Sequence, residues 1–115
     1  MSDDSRQIDE LIDRLKGLDL EGPSLGGPYV GVMHNDVTKA ILAEGERIIP
    51  SLIRRLGTAG LNEAIYIVFC LRELRAKSAE QAVRGLADPD RFKNTKRDLT
   101  LDMQIQFFLR DLVDW

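Results

Sequence analysis

The segment IVFCLREL, Ile67 to Leu74, aligns without a gap to IQFFLRDL, Ile105 to Leu112, 38 residues further along the chain. Ile, Phe, Leu, Arg and Leu recur in register, and Glu73 finds an acidic counterpart in Asp111. The stretches ahead of them also align, at an offset of 34 residues, pairing Glu46 with Glu80, Ile48 with Ala82, Ile49 with Val83 and Leu52 with Leu86. Two matches in the same order predict a repeated helix pair, and a period of this size decides the architecture before any single element does. One helix hairpin cannot bury its apolar face alone, whereas successive hairpins cover each other and build a continuous core.

Working outward, Ala64 to Leu71 is apolar nearly all round, which predicts a helix buried on several sides and central to the fold. Asn62 is its predicted N-cap. Before it, GERIIPSLIRRLG places Ile48, Ile49, Leu52, Ile53 and Leu56 on one side. Pro50 either sits in the first turn of that helix or bends it, and Gly57 and Gly60 end it. Val37, Ala40, Ile41 and Leu42 form an earlier helix, capped by Asn35 or Asp36 and stopped near Gly45, where glycine tolerates a left-handed backbone. Ser78 and Gln81 have the spacing of a capping box and open a short helix that ends at Asp88-Pro89, ahead of a basic loop. The last helix sets Leu101, Ile105, Phe108, Leu112 and Trp115 on one face. At the other end Ile8, Leu11, Ile12, Leu15 and Leu18 make an apolar stripe, with Asp4 or Ser5 as cap. The domain division that follows is one domain over residues 1–115, with an N-terminal capping helix at 1–20, a Gly/Pro-rich loop at 21–35 and stacked helix hairpins over 36–115.

Gly45, Ile48, Ile49, Pro50, Leu52, Ile53 and Leu56, followed by a second helix ending in CLREL, resemble a HEAT-type repeat. The resemblance spans residues 35–115 and is best over Gly45 to Lys77; the second unit departs from it, with Val83 in place of the proline and a longer loop between its helices. It implies an all-α fold, a short right-handed HEAT-like helical-repeat stack of about five to six helices. It also implies that the second helix of each unit lines the concave side. A repeat scaffold does not by itself define a function.

The composition, 43% hydrophobic and 30% charged, is that of a globular domain, and 115 residues suffice for a core without disulfides. No apolar run approaches the roughly 20 residues that span a bilayer, and the acidic start MSDDSRQIDE lacks the order of a secretory signal. Cys70, the one cysteine, lies in an apolar run, reads as a core filler and suits a cytoplasmic setting. The net charge of −3 is unevenly spread: Met1 to Glu46 carries −6, Arg47 to Arg97 carries +6, and Asp98 to Trp115 carries −3. Either the acidic ends fold back on the basic middle, or the middle offers a basic surface to an acidic partner.

One histidine and one cysteine far apart exclude a His/Cys zinc site, and no EF-hand, P-loop, GxGxxG or GxSxG pattern appears. No catalytic residue, cofactor or metal ligand is therefore assigned, and the chain is not read as an enzyme. The candidate partner surface combines Arg72 and Arg110, which hold equivalent repeat positions, with Arg75 one turn from Arg72, and with Tyr29 and His34 in the glycine-rich segment. Arginines so placed suit carboxylates or phosphates, though each can also be consumed by a neighbouring acid such as Glu73 or Asp111. The leading expectation is a non-catalytic protein–protein interaction module or small adaptor, with homo-oligomers as a further option. One alternative is a nucleic-acid-associated protein using Arg54, Arg55, Arg72, Arg75, Lys77, Arg84, Arg91, Lys93, Lys96 and Arg97. Another is a ligand binder or enzyme centred on residues 22–36, with His34 and Asp36 as an acid/base pair.

Overall fold

In the computed structural model the described residues are 3–17, 36–87 and 99–115. They form six α-helices: α1 (Asp3–Asp13), α2 (Asp36–Ala43), α3 (Ile49–Leu56), α4 (Leu61–Glu73), α5 (Glu80–Gly85) and α6 (Leu99–Leu112). Short 3-10 turns at Arg14–Gly17, Gly45–Ile48 and Lys77–Ala79 extend α1 and lead into α3 and α5. No helix among these is long and apolar enough to cross a membrane.

The fold is organised around α4. Every residue from Glu63 to Leu71 is buried, as a helix apolar on all sides requires. α6 makes the most extensive contact with it, and α2, α3 and the turn after α1 cover the rest. The other helices are one-sided. α1 and the turn that extends it direct Ile8, Ile12 and Leu15 inward, α3 turns Leu52 and Leu56, and α6 turns Leu101, Ile105, Phe108 and Leu112. Phe108 meets Trp115 edge to face, with ring centres 5.0 Å apart. Cys70 is fully buried, and burial pushes its thiol up to about 12, so it packs as an apolar group and is not a nucleophile at neutral pH.

The radius of gyration of 13.5 Å is that of a compact globule, about 13 Å for a chain of this length, and not of an elongated solenoid. The two aligned segments also differ in surroundings. Ile67, Phe69 and Leu71 are all buried, whereas only Ile105 is buried among Ile105, Phe107 and Leu109, because α6 has one covered face and α4 has several.

Helix ends follow the backbone more than the expected caps. Asp4 and Ser5 lie inside α1, which already runs from Asp3. Asp36 is the first residue of α2; Asn35 and Leu18 lie outside the described residues. Asn62 falls in the first turn of α4, and Gly60, with extended backbone, is the N-cap. Its carbonyl accepts the first helical bond, from the Ala64 N–H at 2.9 Å. Ser78 and Gln81 form no capping box: the chain enters α5 through the Lys77–Ala79 turn, which puts Ser78 on a helical path and makes Ala79 the N-cap. Pro50 sits in the first turn of α3, where a missing N–H costs nothing.

Two helices end by the same device. After α2, Gly45 takes a left-handed backbone with φ of +67°, and after α4, Arg75 does so with φ of 55°. At Arg75 the two reverse bonds of a Schellman motif are made, from the Ala76 N–H to the Leu71 carbonyl at 2.9 Å and from the Arg75 N–H to the Arg72 carbonyl at 3.1 Å. Ala76 is buried beyond the turn, which supplies the apolar contact that accompanies the motif. A Cβ added at Gly45 meets nothing within 4 Å, so its substitution is opposed by backbone conformation alone. We expect Gly45→Ala to lower, and Arg75→Gly to raise, the free energy of unfolding by about 1 kcal/mol each, read from denaturant unfolding curves. Equal stabilities for Arg75→Gly and the parent would show that the left-handed arginine is not strained.

Candidate functional site

The ends of α4 and α6 bring the sequence-selected arginines together. α4 presents Arg72 in its last turn and Arg75 just beyond it, three residues on. α6 presents Arg110 and Asp111 in its last turn, and Asp114 follows three residues after Asp111 in the turn beyond the helix. Both helix ends close one side of an open surface cleft of about 380 Å³, lined by Arg72, Glu73, Arg75, Asp111, Asp114 and Trp115.

Asp111 is the hub of this site. Arg72 Nε donates to its Oδ2 at 2.8 Å, and Arg110 Nε donates to its Oδ1 at 3.2 Å. Both guanidinium carbons also stand 5.2 Å from the centre of the Phe107 ring, within cation–π range. The half-buried phenyl group is thus flanked by two cations that one carboxylate holds in place. The Arg72 hydrogen bond, reinforced by Arg110, keeps the Asp111 carboxyl below its ordinary range. Each arginine uses only its Nε on Asp111; the bonds described involve none of the Nη groups.

A different balance holds one residue-triplet further out. Arg75 and the Asp114 carboxylate form no ion pair or side-chain hydrogen bond among the described residues, although both line the cleft. Arg75 has left the helical path of α4, so its guanidinium no longer continues the row that Arg72 begins.

The remaining basic residues are largely consumed. Arg54 pairs with Asp9 at 3.0 Å, Arg55 with Asp13 and, at 3.7 Å, with the buried Glu63, and Arg84 with Glu80 at 2.8 Å. The acidic N-terminal block therefore folds back on the basic middle through α1 and α3, as the acidic C-terminal block does through Arg72 and Asp111. Arg91, Lys93, Lys96 and Arg97, together with Tyr29 and His34 and the rest of the glycine-rich segment up to Asn35, lie outside the described residues. Among the described residues, no group of three or more His, Cys, Asp or Glu side chains could hold a metal ion.

Sequence reasoning placed Arg72, Arg75 and Arg110 in the site but passed over Phe107, Asp114 and Trp115. Asp111 was visible only as the counterpart of Glu73. Asp114 shares its helical spacing from Asp111 with Arg75 and Arg72, and that parallel is the signal available in the sequence. No family model matches this chain, and no curated protein or solved structure matches it.

Because the Asp111 carboxyl is held low in the folded protein, its contribution to stability is complete above the ordinary carboxylate pKa of about 3.9 and disappears as pH falls through the lowered folded value. Asp111→Asn is therefore expected to be less stable than the parent at neutral pH, with a difference that narrows below about pH 4, measured as melting temperature against pH. Parallel curves across that range would show that the carboxylate charge contributes nothing.

Proposed function

We propose that this chain is a non-catalytic interaction module that takes up a protein partner at the cleft between the ends of α4 and α6. The scaffold reading behind it is a short HEAT-like stack. Three features support that reading: the paired sequence matches, the proline in the first turn of α3, and the shared exit from α2 and α4 through a left-handed residue and a 3-10 turn. In such a stack α3 with α4 and α5 with α6 are successive hairpins, and α4 and α6 are their second helices.

The observation that carries the function is that Arg72 and Arg75 line one cleft, with Arg110 on the cleft-lining Asp111, while Arg75 is held in a costly backbone conformation and its side chain has no ion pair among the described residues. Strained residues persist where the surroundings over-determine them, and they cluster at binding and switch sites. Phe107, Trp115 and arginine are also the residue types that anchor protein interfaces. A nucleic-acid role finds less support, since Arg54, Arg55, Arg72 and Arg84 already face carboxylates and the cleft itself carries three acids.

The test is affinity capture followed by quantification of the recovered partner. Arg75→Glu and Arg110→Glu should each cut recovery about tenfold, while Lys39→Glu on the exposed side of α2 leaves it unchanged. Recovery insensitive to both arginine substitutions would place the binding surface elsewhere and overturn the reading.

A further inference from the structure

The cleft holds an ion-pair ladder with one rung closed and the next open. Arg72 and Arg75 are three residues apart on the α4 side, and Asp111 and Asp114 are three residues apart on the α6 side. The inner rung, Arg72 to Asp111, is made at 2.8 Å. The outer rung is not made: Arg75 and Asp114 both line the cleft, yet no ion pair joins them. The left-handed backbone at Arg75, fixed by the Schellman bonds to Arg72 and Leu71, is what separates it from the row. We infer that the occupant of this cleft is a segment of a protein partner that carries both a carboxylate and a cation, and that it completes the outer rung by placing its carboxylate on Arg75 and its cation on Asp114.

Charge accounting selects this class over single-sign partners. Beside Asp111, which Arg72 and Arg110 share, the cleft offers Arg75 with Glu73 and Asp114, whose carboxylates have no ion pair among the described residues. A phosphate, or a purely acidic segment, would face both carboxylates at close range, where like charges repel. A purely basic segment would face Arg75 and the Nη groups of Arg72. A segment bearing both signs meets neither penalty. The cleft is open and mostly charged, whereas small-molecule sites are enclosed and mainly apolar, so a protein segment suits it better than a free metabolite. Trp115 adds an aromatic side chain to the wall of the cleft.

This inference rests on the interaction-module reading and adds the chemistry of the partner. The test uses three alanine-based helical peptides of equal length, titrated at low ionic strength into the isotopically labelled full chain and followed by amide chemical shifts. One carries Glu and Lys four residues apart, one only Glu, and one only Lys. The mixed peptide should bind about threefold more tightly than either single-sign peptide, with shifts concentrated at 74–77 and 111–115. Arg75→Glu should transfer the preference to the Lys peptide, Asp114→Lys should transfer it to the Glu peptide, and the double exchange should restore the mixed peptide. Unchanged melting temperatures in the variants would tie these shifts in preference to charge. Equal affinities for the three peptides, or a double exchange that fails to restore the preference, would overturn the ladder. A natural partner captured through Arg75 but carrying charges of one sign would overturn it too, while leaving the interaction-module reading intact.

Discussion

The burial of α4 on every side is the constraint from which the rest of the molecule follows. The other described helices run from 6 to 14 residues, lengths that are marginal in isolation because nucleating a short helix costs more than its few hydrogen bonds return. Each acquires stability by laying one apolar stripe against the interior. Ile65, Ile67, Phe69 and Leu71 are each worth about 1.5–3 kcal/mol when removed from water, and α4 supplies them on all its faces. α6 then takes the largest share of that surface, and the closeness of the two helices at their C-terminal ends creates the cleft.

Charge is organised on the same frame. The three blocks of alternating sign are stitched together by a few long-range pairs, Arg54 with Asp9, Arg55 with Asp13, and Arg72 with Asp111. Surface pairs of this kind add little stability individually, about 0–1 kcal/mol. Their larger effect is on what the surface offers to others, since they remove most of the arginines that the described part of the basic segment would present. Arg75 and Asp114 stand out because they come next after Arg72 and Asp111 and form no ion pair among the described residues.

Much of this was legible in the residues. The all-round apolar run of α4, the single faces of α1 and α6, Pro50 in a first turn and the left-handed Gly45 all follow from local periodicity and backbone chemistry. The failures share a physical cause, namely that helix ends are decided by tertiary contacts that a local pattern does not contain. Ser78 and Gln81 have the right spacing for a capping box, but the turn out of α4 carries Ser78 into a 3-10 path. Nothing in the sequence singles out Arg75 as left-handed, because glycine is the residue expected there; burial of Ala76 against the end of α4 enforces it. The convergence of Arg72 and Arg110 could be anticipated from the repeated LR-acid-L pattern, whereas their meeting at one carboxylate depends on how α6 docks. Tyr29 and His34, two of the five residues of the expected surface, fall outside the described residues.

Native-state hydrogen exchange of the full chain addresses the central claim most directly. If α4 is the shared interior, the amides from Ile65 to Leu71 exchange only through global unfolding, with the same free energy as denaturant melting gives, and those of α1 and α5 open at lower cost. Amides of α4 that exchange by local fraying, with protection below that of α1 or α5, would contradict the account.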